Sequence, residues 1–492
     1  MASILETVHD LVWGIPALVL ILGVGLYLSL RTGFAQIRLF PRALGAFFDL
    51  FRREKTVSGV SPMQALCTAL AATVGTGNIA GVAGAIAIGG PGAIFWMWIC
   101  ALIGMVTKFA EATLAVHYRV RHQGEYWGGP MYMITRGLGK RWRFLAVVYA
   151  FFGIVAAFGV GNATQINAVI TGVHETIFAF GGTPRPSWDL LLGVLLAVLL
   201  TRMLSGGARG IGRAAEALVP FAAAAYLLLG LLVLIARAQE IPQAFSAIFR
   251  GAFDPQAATG GFVGSMFTTL RIGVSRGVFT NEAGIGTAGI AHAGADVVHP
   301  AQQGLMGIME VFLDTIVICT MTALVILVSG VPIPYGTDPG AALTATAFSS
   351  VCGKWVTVVI TAALGCFAFA TVLGWGLYGI RCVQFLFGEE ASPFFVKFQA
   401  LAVVLGAVLN TGTVWLLSET VNGLMAIPNL IALAVLSNQL VRLTKDYIHG
   451  GTYEDFHQCQ SLRTLSHAEI PSPGGESQGS RKEDLPSEHR SA

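Results

Sequence analysis

The chain carries a succession of apolar runs of about 20 residues, each long enough to cross a hydrocarbon layer roughly 30 Å thick. A segment inside such a layer must pair every backbone polar group internally, so it is either a helix or part of a closed barrel. The runs are continuous rather than alternating, which selects helices. Apolar residues fill 54% of the 492 positions and charged residues 12%, half of the roughly 25% usual in soluble domains. The expectation is an all-α polytopic membrane protein in a lipid bilayer. About eleven spans are expected, near residues 11–30, 64–88, 92–117, 144–170, 188–203, 214–236, 262–293, 304–330, 355–387, 399–417 and 421–443.

Lys and Arg concentrate in cytoplasmic loops of membrane proteins. Loops 31–63, 118–143 and 201–213 are rich in them, whereas the alternate loops hold Arg185, then Arg237 and Arg250, then Lys354. Eleven spans then place the N-terminus outside and the C-terminus in the cytoplasm of a bacterial-type inner (plasma) membrane. Loop 294–303 breaks the pattern, being assigned inside without a basic residue. Met1 to Asp10 is weakly acidic, so no cleavable signal peptide is expected. Beyond Tyr447 the chain turns polar, and residues 448–492 are expected to form a disordered cytoplasmic tail.

Several functional classes are excluded. Net charge is +3 with dispersed basic residues, which argues against a nucleic-acid surface. The seven cysteines, Cys459 among them, show no metal-ligand spacing. No HExxH motif or Cys/His centre is present, so the chain is not expected to be an enzyme or to carry a cofactor. A channel would show a repeated filter, and a sensor would need a signalling domain; neither is visible.

Two spans depart from ordinary membrane helices. The second contains Thr73-Val74-Gly75-Thr76-Gly77-Asn78, and the seventh runs from Arg271 through Gly273, Arg276, Gly277 and Glu282 to Gly284. Gly costs about 1 kcal/mol relative to Ala in a helix, so such clusters mark interruptions. Irregular backbone is tolerated in a membrane where it lines a cavity or is buried in protein. With the first span set aside, ten remain, and the interrupted helix leads each set of five. An odd number forces opposite insertion of the two halves, the inverted-repeat plan of secondary transporters. The domains expected are residues 1–63 (an extra helix and basic loop), 64–236 and 237–447 (the two repeats), and the tail. Half-helix N-termini offer free N–H groups to a carboxylate, and exposed carbonyls suit a cation.

The stretch Ala72-Thr73-Val74-Gly75-Thr76-Gly77-Asn78-Ile79-Ala80-Gly81-Val82-Ala83 resembles the signature of the alanine/glycine:cation symporter family, the sodium:alanine symporters. Gly90-Pro91-Gly92-Ala93-Ile94-Phe95-Trp96-Met97-Trp98, Gly128-Gly129-Pro130-Met131-Tyr132, Arg276-Gly277 to Gly284 and Thr371-Val372-Leu373-Gly374-Trp375 extend the likeness over roughly residues 5–447. The resemblance implies sodium- or proton-driven uptake of alanine or glycine, in the five-plus-five fold shared with neurotransmitter:sodium symporters. The alternative is a proton-coupled carrier of another small neutral amino acid such as serine. A monomer is the expected unit.

Within that fold, Ala72 to Asn78 is similar to the Asn-Ala-Val-Gly-Leu-Gly-Asn stretch of the sodium:leucine transporter. The resemblance implies that the amides of Thr76 and Gly77, with the Thr76 hydroxyl, meet the substrate carboxylate. It implies that the carbonyls of Ala71 and Val74 face a sodium ion completed by Phe367, Ala370 and Thr371 on span nine. Ala370 departs from the pattern, because a hydroxyl is usual at that place. A second sodium site would use Thr73 and Asn78, and one coupling ion is the reading taken. Gln165, three residues from Asn162 on a substrate-facing helix, is a candidate for the ammonium, and Trp375 for a wall that limits side-chain size. The second interruption offers Ile272, Gly273, Phe279 and Asn281 as candidate substrate contacts.

Charged groups inside a membrane are costly and mark function or pairing. Lys108 and Glu111, at i and i+3, are expected to pair with each other. Glu310 and Asp314, at i and i+4, share a helix face, with Asp314 a candidate relay. Glu282 is expected to balance an Arg, to act as a gate, or to serve a structural role.

Overall fold

The computed structural model describes residues 12–52, 59–409 and 412–450. Met1 to Asp10, Arg53 and Lys55 of the first loop, Cys459 and the expected tail beyond Gly450 lie outside the described residues.

The chain is a succession of helices. The first span is α1 (Ile15–Thr32). The second is broken into α2 (Pro62–Thr73) and a segment Gly77–Gly89 that ends in α3 (Val82–Gly89), bent by 52°. Next come α4 (Ala93–His117) and a short hairpin, β1 (Val120–His122) with β2 (Glu125–Trp127). Its two-residue turn, Gln123-Gly124, has positive φ at both positions, the form that matches strand twist. Helices α5 (Arg143–Phe158) and α6 (Thr164–Ala179) form one long span with a wide turn at Gly159–Ala163. Helices α7 (Pro186–Leu204) and α8 (Gly207–Ala236) close the first half.

The second half opens on another broken span, α9 (Met266–Asn281) and α10 (Thr287–Ala293). Helices α11 (Pro300–Val311) and α12 (Thr320–Val328) are joined by a wide turn at Phe312–Cys319. Then follow α13 (Val356–Phe387), α14 (Ser392–Val408), α15 (Gly412–Val435) and α16 (Ser437–Ile448).

The packing repeats with the chain. Helix α2 lies on α10 and α3 on α9, so the two broken spans run antiparallel. Helix α4 packs on α11, α5 and α6 on α13, and α7 on α14. The contact of α8 with α13 is mirrored by that of α15 with α5. The broken spans, α4 with α11, α5 and α6 with α13, and α7 with α14 each meet the span five places on, and the α8–α13 and α15–α5 contacts are equivalent, the arrangement a five-helix unit gives when repeated in inverted orientation.

Among the described residues, eight helices are long and apolar enough to cross a bilayer, or ten if two bent pairs each count as one span. Those pairs are Pro62–Thr73 with Gly77–Gly89, and Glu419–Val435 with Ser437–Ile448. Helix α9 is 16 residues long and residues 282–286 part it from α10, so the α9–α10 span does not join that count. The last two expected spans need correction: α14 begins at Ser392, not near 399, and α15 by Gly412, not near 421. Ser392-Pro393 starts a helix inside what reads as a charged loop, Pro being favoured in a first turn.

Candidate functional site

Helix α2 starts on a reciprocal cap: Gln64 N donates to Ser61 Oγ at 3.1 Å, and Ser61 N donates to Gln64 Oε1 at 3.2 Å. It stops at Thr73, where Val74 takes an extended conformation with ψ 95°. Val74 and Gly75 are unwound, and the chain re-enters a helix at Thr76, through a wide turn at Gly77–Gly81. Wide turns of this kind occur often at functional sites. Every residue from Ala65 to Ile79 is buried.

Asn78 stitches the break. Its Oδ1 accepts from Gly75 N at 2.9 Å, and its Nδ2 donates to Asp314 Oδ1 at 2.7 Å. Its carbonyl accepts from the Thr322 hydroxyl at 2.8 Å. Asp314 therefore bonds a side-chain amide of the first broken span. Its Oδ2 accepts from the Thr315 hydroxyl at 2.8 Å, and that hydroxyl accepts from Asn281 Nδ2 at 3.2 Å. A continuous polar chain thus joins the first broken span to the end of α9.

Thr76 N donates to Gln165 Oε1 over a long 3.5 Å, while Gln165 Nε2 donates to Val160 O at 3.1 Å. The Thr76 hydroxyl is buried without a hydrogen-bond partner among the described residues. The Thr371 hydroxyl lies 2.9 Å from Ala71 O and 3.0 Å from Phe367 O. A Cβ on Gly75 would sit 2.7 Å from that hydroxyl oxygen, so the unwound backbone passes directly over Thr371. Val74 and Ala370 are fully buried. Trp375 is buried too, with its Nε1 donating to Glu282 Oε1 at 3.0 Å. A Cβ on Gly161 would come within 2.3 Å of the Trp375 Cβ, so the wide turn of span four closes on the indole's base.

The second break is displaced from its expected position. Helix α9 is intact across Ile272 to Asn281, and the interruption lies at 282–286. Glu282, Gly284 and Gly286 there have φ of 52°, 97° and 91°. Gly273 and Gly277 are packing glycines instead. A Cβ on Gly273 would lie 2.4 Å from Ala93 O, and one on Gly277 3.1 Å from Cys100 Cβ. Ile272 sits against Gly89 at the far end of the first broken span, so Ile272 and Gly273 are not brought to the first break. Phe279 is: a Cβ on Gly77 would meet its ring at 3.4 Å. Asn281 caps the second break, its Oδ1 accepting from Ala283 N at 3.0 Å.

The expected Lys108–Glu111 pair is not formed. Lys108 Nζ bonds Glu310 Oε1 at 2.9 Å, and Glu310 Oε2 lies 3.0 Å from His292 Nε2. Glu282 balances no Arg; its carboxylate accepts from Trp375 and, at 2.6 Å, from the Thr287 hydroxyl. Asn162 bonds Gln399 rather than its neighbour Gln165. Among the described residues no cluster of His, Cys, Asp and Glu is suited to a transition metal. The oxygens gathered near Thr371 are hard, neutral ligands of the type an alkali cation accepts.

Antiparallel broken spans, a buried polar break and an inverted packing pattern define a polytopic transporter, not an enzyme. The sodium:alanine symporter family model matches residues 1–457, and the chain belongs to that family, whose work is cation-coupled amino-acid symport. The chain is 44% identical to the sodium/alanine symporter AgcS of Methanococcus maripaludis, over 90% of this chain and 97% of that one. It is 37% identical to a probable sodium/glutamine symporter, GlnT, of Bacillus subtilis, over 91% of each. The crystal structure of MhsT in complex with L-phenylalanine has a similar fold. The TM-score is 0.55 at 14% identity, covering 79% of this chain and all of MhsT.

Proposed function

We propose that this protein imports small neutral amino acids, alanine and glycine, coupled to sodium by alternating access. The observation that carries the reading is Thr76. A buried hydroxyl without a partner, beside a backbone N–H held by a 3.5 Å bond, is an incomplete site. An amino-acid carboxylate completes it, at the start of a half-helix whose dipole favours negative charge. The Thr76 and Gly77 amides hold the carboxylate, and Gln165 swings from Thr76 toward the ammonium. Phe279 and Trp375 bound the small side chain, and Asn281 supports the wall.

The cation, as cargo, takes the carbonyl oxygens of Ala71, Val74, Phe367 and Ala370 with the Thr371 hydroxyl. The support is the approach of Thr371 to both Ala71 and Phe367 at 2.9 and 3.0 Å. Sodium then ties α2 to α13 and fixes the turn that presents the Thr76 amide. Each ligand stabilises the state that binds the other, and the coupling is reciprocal. The two repeats, 64–236 and 237–447, build a monomer in which one helix bundle rocks against the other between outward and inward forms, with the N-terminus outside and the C-terminus in the cytoplasm.

Proteoliposomes with an imposed sodium gradient should accumulate labelled alanine and glycine, each competing with the other. Accumulation driven by a proton gradient with sodium absent would favour the proton-coupled carrier instead. Absence of alanine flux under either gradient would remove the proposal.

A further inference from the structure

Glu111 lies on α4 with 0% exposure, and the nearest ammonium, Lys108, is taken by Glu310. Its Oε1 accepts from Gly284 N and from Asn429 Nδ2, both at 2.9 Å. Asn429 Nδ2 also donates to Gly284 O at 2.9 Å. Two oxygens remain. Glu111 Oε2 and Asn429 Oδ1 are each buried without a hydrogen-bond partner among the described residues. Asn429 is itself 0% exposed, and its bonds aim it at Glu111 and the second break.

If Glu111 is ionised, both remaining oxygens are acceptors and neither satisfies the other. A buried polar atom left unpaired costs about 1–3 kcal/mol. A carboxylic acid and a primary amide, by contrast, form a ring of two bonds. The acid's carbonyl oxygen accepts from the amide N–H, and the acid O–H donates to the amide oxygen. The first of these bonds is present here. One proton on Oε2 supplies the second and satisfies both oxygens together.

The surrounding charge points the same way. Lys108 on the same helix, Glu310 from α11, His292 from α10 and Glu282 at the second break all surround this region. Tyr149 from α5 and Tyr378 from α13 lie buried within electrostatic range of the same carboxylates, and neither hydroxyl bonds them. Asp314, on the wide turn after α11, is bonded to Asn78. Helix α1 brings Arg31, which is turned to Tyr27 and Asn438, and α16 meets α4 through Gln439 at His117. Three carboxylates around one buried lysine leave excess negative charge, which the membrane interior penalises.

We propose that Glu111 is a proton-binding site, holding a proton on Oε2 shared with Asn429 Oδ1 in the conformation seen here. The proton comes from water and returns to it, and no other bond changes. Because the pair grips both the N–H and the carbonyl of Gly284, its affinity for the proton follows the second break. Displacing Gly284 removes a donor from Glu111 and an acceptor from Asn429, and binding linkage makes the effect mutual. The site is separate from the cation ligands at Ala71 and Thr371.

The test is infrared difference spectroscopy of the full chain in lipid nanodiscs across a pH series, without sodium or amino acid. Wild-type protein should show the C=O band of a buried carboxylic acid, lost in Glu111→Gln, whose amide reproduces the acid's donor and acceptor. The melting temperature of the wild type should fall as pH rises, and that of Glu111→Gln should fall less. A carboxylic-acid region left unchanged by Glu111→Gln, or an absent band in the wild type, overturns the proposal. If Glu111→Gln does not fold, Asn429→Leu should shift the band's frequency, and an unshifted band overturns it equally. Since no transport ligand is present, these outcomes are independent of whether alanine and sodium are the cargo.

Discussion

At Thr371 a single hydroxyl reaches carbonyl oxygens from both halves of the chain, Ala71 at 2.9 Å and Phe367 at 3.0 Å. A hydroxyl has one proton and donates to one of them at a time, so a cation that accepts all three oxygens gains what the hydrogen bond lacks. Thr371→Ala should weaken sodium activation of uptake by about tenfold, equivalent to roughly 1.4 kcal/mol. Sodium titration of alanine uptake would check it, and an unchanged half-saturating sodium concentration would reject the ligand. That Thr371 lies against Ala71 was legible only through the resemblance of its stretch to a known family. The partner of Lys108 was not, because Glu310 stands 202 residues away and Glu111 offers a plausible pair one turn along. The Thr76 hydroxyl's lack of a partner is equally invisible without the fold, since a vacancy belongs to the neighbours.

At the scale of elements, the first break was readable because Gly75 and Gly77 flank the polar Thr76 and precede Asn78. The second was misplaced because Gly273 and Gly277 look the same in sequence as helix breakers. In space they let α9 approach α4, with Ala93 O 2.4 Å from a Cβ on Gly273. The actual turn depends on left-handed backbone. Gly286 combines φ of 91° with a Cβ clash against Pro130 at 2.5 Å and Asn429 at 2.6 Å. Gly286→Ala should therefore cost about 2–4 kcal/mol, joining backbone strain to overpacking. Gly388, after α13, has φ of 85° but open space, so Gly388→Ala should cost about 1 kcal/mol. Thermal unfolding in detergent would rank the two, and equal losses would show that the packing at the second break is loose.

For the whole molecule, the number and alternation of apolar runs carried the class and the inverted plan. Span boundaries near the C-terminal end drifted because the turn at Leu409 lies in an apolar stretch. Orientation has its own test. Cys352 is exposed on the loop side that the charge pattern assigns to the outside. A membrane-impermeant maleimide on intact cells should label Cys352 and leave Lys140→Cys unlabelled until the cells are opened. The reverse pattern would invert the topology.

Asn78 has a mechanical consequence. Its side chain holds Gly75 N and Asp314, its carbonyl is held by Thr322, and the next carbonyl, Ile79 O, is held by Thr344 at 3.0 Å. A joint pinned at four points has no free axis, so the unwound turn is a weld rather than a hinge. Any rotation that carries Pro62–Gly89 must carry Pro300–Val328 with it as one stiff lever, and the flexing falls on that lever's outer edges.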